Sequence, residues 1–108
     1  MAELAIGHLL NLDRRIADNV AALRAHRWDK KAFGEARGLR GRTLAVLGVG
    51  AIGKEVVVRA QALGMKIVGW SDFRPGEAEA LGIVRAPTAE AAVANADAVT
   101  VHLPLTPE

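Results

Sequence analysis

Glycines recur with the spacing G-x-G-x-x-G in the run GVGAIG at residues 48–53. An apolar segment precedes this run and a helical pattern follows it, which gives the order strand, glycine turn, helix. In that setting Gly48 permits a tight turn, Gly50 lets the backbone approach a pyrophosphate, and Gly53 lets the helix lie close to the strand. The unpaired N–H groups of the first helical turn, at Ala51 and Ile52, would point at the anion. The run therefore predicts a pyrophosphate-binding turn.

A carboxylate follows the next apolar segment at a distance that suits the ribose of an adenosine. Asp72 lies 19 residues after Gly53, and Ser71 directly precedes it. An acid at this distance accepts hydrogen bonds from the ribose hydroxyls. We therefore expect Ser71 and Asp72 to face the adenosine ribose of a dinucleotide.

The same segment also matches part of a P-loop, which gives a lesser alternative. Residues 48–54 satisfy G-x-x-x-x-G-K, but a P-loop needs a Ser or Thr at the next position to bind Mg²⁺. That position is Glu55, whose carboxylate would repel phosphates. Together with Gly50 and Asp72, this favours a dinucleotide over a nucleoside triphosphate.

The elements that position this turn follow from the apolar periodicity. It predicts a long amphipathic helix over about Ala2–Ala25, an irregular arm over residues 26–42, and strands over residues 43–47, 65–70, 83–84 and 98–103. It also predicts a helix with its apolar face over residues 52–63, a short helix around residues 76–81 and a helix that Thr88 opens. We expect Gly64 to stop the second helix and Pro104 to end the last strand. Strands that alternate with helices predict an α/β fold, a partial Rossmann-like doubly wound parallel sheet of order 3-2-1-4.

The length and composition of the chain limit the function classes. A chain of 108 residues with 51% hydrophobic and 24% charged residues suits one globular domain, which we divide into a helix and arm (1–42) and a partial dinucleotide-binding domain (43–108). The absence of Cys excludes disulfides and thiolate metal sites and fits a reducing cytoplasm. We expect no metal, no membrane span and a cytoplasmic location.

Basic residues are concentrated in residues 1–42, which hold nine Lys or Arg against five Asp or Glu. Such a stretch could contact a nucleic-acid backbone. However, Asp29 and Glu35 interrupt it, and no nucleic-acid-binding motif surrounds it. We interpret it as a solvated connector and expect no nucleic-acid partner.

Several runs of residues together resemble one family, the NAD-dependent D-2-hydroxyacid dehydrogenases. The runs are residues 2–5, 23–28, 30–31, 39–44, 48–53, 64–66 and 96–108. The last is the most specific, because in it a strand ends in His-x-Pro-Leu-Thr. Within the family, the similarity is greatest to members that act on 3-phosphoglycerate in serine biosynthesis.

The resemblance implies the cofactor-binding portion of a longer enzyme that passes hydride between nicotinamide and C2 of a D-2-hydroxy acid. It implies NAD as cofactor and places His102, Leu103 and Pro104 near the nicotinamide side. The family's catalytic Arg, Glu and His fall outside these residues, so we assign no catalytic residue and expect the chain alone to be inactive. The resemblance also implies a homodimer through the helix over residues 6–23 and the arm around Trp28.

Two positions depart from the family pattern. Ala51 stands where many members have Arg, which leaves only backbone N–H groups for the pyrophosphate. The usual Tyr-Asp pair aligns with Trp70-Ser71, so that Ser71 takes the acid position and Asp72 follows one residue later. NADP is therefore possible beside NAD, with Arg74 near enough to attract a 2′-phosphate. The alternative function is a non-catalytic nucleotide-binding or dimerisation module that keeps the fold.

Overall fold

The computed structural model describes residues 1–28 and 30–103 as a layered α/β structure. The elements are α1 (Ala2–Arg14), α2 (Ile16–Arg24), α3 (Lys30–Phe33), β1 (Thr43–Leu47), α4 (Ala51–Ala62), β2 (Lys66–Trp70), α5 (Glu77–Leu81), β3 (Val84–Arg85), α6 (Ala89–Val93) and β4 (Ala98–Val101). The strands form one parallel sheet in the order β3-β2-β1-β4. The predicted fold class and strand order are confirmed.

The central strand β1 is buried on both faces of the sheet. Leu44 and Val46 pack with Val56 and Val57 of α4, while Ala45 faces the other side of the sheet, with Ala92 of α6. Strands covered by helices on both faces are continuous apolar runs, which explains why the segment TLAVL is a strand without alternation. This core fixes the start of α4 at the end of β1.

The predicted single helix over residues 2–25 is wrong, because the chain breaks at Arg15. Arg15 adopts the left-handed conformation (φ 53°, ψ 47°), which ends α1 and begins α2. The Asn11 side chain accepts a hydrogen bond from the Ala17 N–H at 2.8 Å. An Asn side chain can compete in this way with the helical backbone bonds. Apolar spacing continues on both sides of the break and so did not reveal it.

Smaller differences concern the arm and the strand ends. The arm predicted as irregular contains the short helix α3. Strand β3 lies one residue later than predicted, and β4 ends at Val101, before Leu103. Thr88 caps α6 as expected, since its Oγ1 accepts from the Ala91 N–H at 3.0 Å. Pro104, the predicted end of β4, lies outside the described residues.

A buried carboxylate ties α1 to the arm and to the sheet. The Asp13 side chain is only 8% exposed; it accepts hydrogen bonds from Arg42 Nη1 at 2.9 Å and from the Gly38 N–H at 3.0 Å. Asp97 at the start of β4 accepts from the Thr43 N–H at 2.8 Å and lies 3.8 Å from Arg42 Nε. Three segments thus meet at the amino edge of the sheet.

No helix within residues 1–28 and 30–103 is both long enough and apolar enough to cross a membrane.

Replacing Asp13 tests this connection. We expect Asp13→Ala to lower the free energy of unfolding by about 2 kcal/mol, because Arg42 then loses its buried partner. Asp18→Ala is the matched control, since the pair between Asp18 and Arg15 is exposed and its loss should cost less than about 1 kcal/mol. Urea unfolding of both variants provides the measurement, and equal losses would contradict the account.

Candidate functional site

A cavity of about 450 Å³ opens at the carboxyl edge of the sheet. The residues that follow all four strands of the described sheet line it, together with the glycine turn. They are Gly48, Val49, Gly50, Trp70, Ser71, Asp72, Arg85, Ala86, Pro87, His102 and Leu103. The connection after β1 runs toward β2, while β4 pairs on the other side of β1, so the cavity lies where the strand order reverses. Ligands of open α/β sheets bind at this position.

The conformation of Gly48 and the space around it both require glycine. Its φ is +94°, and a Cβ there would lie 2.8 Å from the carbonyl carbon of His102. Its N–H donates to the Trp70 carbonyl at 2.8 Å, and the His102 N–H donates to the Leu47 carbonyl at 2.7 Å. The ends of β1, β2 and β4 are therefore joined at the turn.

Gly53 and Gly50 differ in what surrounds them. A Cβ on Gly53 would overlap the carbonyl oxygen of Gly48, so Gly53 is needed for the close packing of α4 on β1. A Cβ on Gly50 would meet no atom within 4 Å among the described residues, and Gly50 has no positive φ. The fold therefore does not require glycine at position 50, which leaves open space on the cavity side of the turn.

Within the described residues, the backbone N–H groups of the first turn of α4 have no acceptor and lie beside this space. The first backbone hydrogen bond of the helix runs from the Lys54 N–H to the Gly50 carbonyl at 2.9 Å. The preceding N–H groups have no acceptor within a helix, and Gly50, as the N-cap, supplies no side-chain cap. The side chains of Ala51 and Ile52 line a neighbouring cavity of about 410 Å³ with Glu3, Glu55 and Arg59. At positions 51 and 52, therefore, the backbone N–H groups and not the side chains are available to bind an anion at the turn.

The residues after β2 line the opposite wall of the cavity. Ser71 is half-buried and Asp72 is exposed, and both belong to the lining. Arg85, Ala86 and Pro87 complete this wall and were not among the residues predicted from the sequence. The predicted strand order was the one feature of the sequence that could have indicated these residues, because it places the end of β3 beside the end of β2. Arg74 is exposed and is not part of the lining.

The His102 imidazole lies at the end of β4 and is bonded to a neighbour on the same strand. Its Nε2 lies 2.8 Å from Thr100 Oγ1, and the residue is half-buried. Leu103 is exposed beside it, and Pro104 lies outside the described residues. His8 and His26 are exposed away from the cavity. Within the described part of the chain, no cluster of His, Asp or Glu could hold a metal ion.

Six of the ten predicted cofactor residues meet in this one cavity: Gly48, Gly50, Ser71, Asp72, His102 and Leu103. Residues 6–108 match the family model described as D-isomer specific 2-hydroxyacid dehydrogenase, NAD binding domain. The chain belongs to this family. It is the NAD-binding part, and the cofactor of this domain is NAD. The contribution of each predicted residue to NAD binding stays a prediction.

Relatives and solved structures agree with the assignment. The chain is 40% identical over 109 residues to the D-3-phosphoglycerate dehydrogenase of Methanocaldococcus jannaschii, which covers 100% of this chain and 21% of the relative. A phosphoglycerate oxidoreductase from Vibrio cholerae superimposes with a TM-score of 0.87 at 30% identity, over 98% of this chain and 34% of that one. The apo D-lactate dehydrogenase of Escherichia coli superimposes with a TM-score of 0.87 at 26% sequence identity. The match covers 98% of this chain and 33% of that one. The chain thus spans about a fifth of the length of its curated relative.

Alanine at two glycines separates the packing role from the binding role. We expect Gly53→Ala to lower the free energy of unfolding by about 2 kcal/mol, because the new methyl group is forced against the Gly48 carbonyl. Gly50→Ala should cost less than about 1 kcal/mol, the range of an N-cap change. Urea unfolding of both variants tests this, and a larger loss for Gly50→Ala would contradict it.

Proposed function

We propose that the complete protein transfers hydride between a nicotinamide dinucleotide and a D-2-hydroxy acid, with 3-phosphoglycerate as the substrate and serine biosynthesis as the setting. One observation carries the cofactor role: a glycine turn with an open face at Gly50, beside the first turn of α4 and inside a cavity at the strand switch point. The proposed substrate is based on relatives named D-3-phosphoglycerate dehydrogenase. The similar solved structures also include a D-lactate dehydrogenase.

In this proposal each part of the cavity binds one part of the cofactor. The backbone N–H groups of residues 50–53 bind the pyrophosphate, helped by the positive end of the α4 dipole. Ser71 and Asp72 bind the adenosine ribose, and residues 102–104 lie toward the nicotinamide. Bound NAD would supply the hydride acceptor for the reaction.

The chain alone should bind the cofactor without oxidising a hydroxy acid. That reaction needs a general base for the hydroxyl proton and a cation for the substrate carboxylate. Among the described residues, the cavity's one imidazole, His102, faces the Thr100 hydroxyl and no carboxylate. We infer that residues beyond this chain provide the base and the carboxylate clamp.

A cytoplasmic location also remains a prediction, based on the absence of Cys.

We also propose a homodimer, with its interface on α2 and the adjoining arm. Ile16, Val20 and Leu23 follow one face of α2 and are 49%, 44% and 45% exposed, and Trp28 is 76% exposed. Leu9 of the predicted face is instead buried in the chain's own core, so the interface moves to α2. A contiguous exposed apolar face of this kind marks an interaction site, and a two-fold axis would pair it with its copy.

Calorimetric titration with NADH tests the cofactor role. We expect Gly50→Val to weaken binding about tenfold or more, because the side chain enters the space reserved for the pyrophosphate. Gly7→Ala is the control, since Gly7 lies on α1 with nothing within 4 Å of a new Cβ. If Gly50→Val binds NADH as tightly as the parent chain, the turn is not the phosphate site.

Sedimentation equilibrium tests the dimer. At micromolar concentration we expect twice the monomer mass for the parent chain and the monomer mass for Val20→Glu, because a charge in an apolar interface is costly to desolvate. Val58→Glu serves as the control, since Val58 is also an exposed valine, 57% exposed against 44% for Val20, but lies on α4. A monomeric parent chain would contradict the proposal.

A further inference from the structure

Arg85 is the last residue of β3 and lines the same cavity as Ser71 and Asp72, which are proposed to bind the ribose. In the parallel pairing of β2 with β3, Arg85 lies opposite Gly69, and the Ala86 N–H donates to the Gly69 carbonyl at 2.8 Å. Ser71 comes two residues after Gly69, so both lie at the same edge of the sheet. Arg85 and Ser71 both line the cavity.

The Arg85 side chain is held by a ring and not by a carboxylate. Its guanidinium carbon lies 5.8 Å from the centroid of the Phe73 ring, and Phe73 is buried, at 8% exposed. A guanidinium stacked on a ring keeps its in-plane N–H donors available for a planar or tetrahedral anion. Within the described residues, no carboxylate forms an ion pair with Arg85. Arg85 is therefore an exposed cation that lines the cavity beside Phe73 and has no ion-pair partner among the described residues.

The residues near Arg85 leave room for a phosphate group in addition to the pyrophosphate at the glycine turn. Ser71 at the end of β2 is neutral and can donate a hydrogen bond from its hydroxyl group. Asp72 also lines the cavity, and because Asp72 and Arg85 are both exposed, solvent screens the charges of both. Arg74, the cation that the sequence suggested, does not line the cavity. Arg85, in contrast, lines it.

We propose that Arg85 binds the 2′-phosphate of NADP, so that this chain accepts NADP as well as NAD. This inference rests on the proposed dinucleotide site. Within that site, Arg85 would decide whether a phosphate can take the place of the ribose 2′-hydroxyl group. Ser71 donates to the same phosphate, and Arg85 supplies the charge. NAD, which carries a hydroxyl group at this position, does not depend on Arg85.

Titration of single variants with NADPH and NADH tests this proposal, with Trp70 fluorescence in the cavity wall as a second readout beside calorimetry. We expect Arg85→Gln to raise the Kd for NADPH about tenfold or more, the effect of a lost charge-assisted bond to phosphate, and to change the Kd for NADH less than about threefold. Arg74→Gln is the matched control and should leave both values within about threefold. Arg85→Lys, which keeps the charge, should recover part of the NADPH affinity.

The possible outcomes are distinguishable. NADH binding with an unchanged NADPH-to-NADH ratio in Arg85→Gln would overturn the assignment of Arg85 and leave the cofactor site intact. A selective NADPH loss in Arg74→Gln instead would also overturn it. If the parent chain binds neither dinucleotide nor the fragment 2′,5′-ADP, the proposed function itself fails together with this inference.

Discussion

The close approach of three backbone segments at Gly48 is the constraint on which the site depends. The end of β4 passes directly against Gly48, where a Cβ would meet the His102 backbone, and the Gly48 carbonyl lies against α4 at Gly53. Because neither contact leaves room for a side chain, the start of α4 is set at a single place relative to the ends of β1 and β4. A Cβ on Gly50, in contrast, would meet no atom within 4 Å among the described residues.

The amino and carboxyl edges of the sheet have different tasks. At the amino edge, Asp13 and Arg42 join α1 and the arm to the sheet through a largely buried ion pair. At the carboxyl edge, polar groups line an open cavity, and the N–H groups of the first turn of α4 have no acceptor among the described residues. Removing a buried partner is costly, whereas exposed loops tolerate change. We therefore expect a change at Asp13 to lower stability more than a change at Gly50 does.

Much of the fold could be predicted from local sequence, because strong signals coincide there. The apolar run at residues 43–47, the glycine spacing and the cap at Thr88 each specify an element and agree with one another. The break at Arg15 could not be predicted, since the apolar period continues through it and the local features that accompany it are the left-handed Arg15 backbone and the hydrogen bond that Asn11 Oδ1 accepts from the Ala17 N–H. Arg85 was missed for a related reason. Its strand has two residues, both exposed, and only its register against β2 brings it to the cavity.

The central claim is that the first turn of α4 binds the pyrophosphate of a dinucleotide. A two-dimensional ¹⁵N–¹H spectrum of the chain, titrated with NAD, tests it directly, because amide shifts report which N–H groups gain an anionic acceptor. The account predicts the largest shifts at residues 50–53, with smaller ones at Ser71, Asp72 and His102. Shifts confined to the amino edge, around Asp13 and Asp97, or no shifts at saturating NAD, would contradict it.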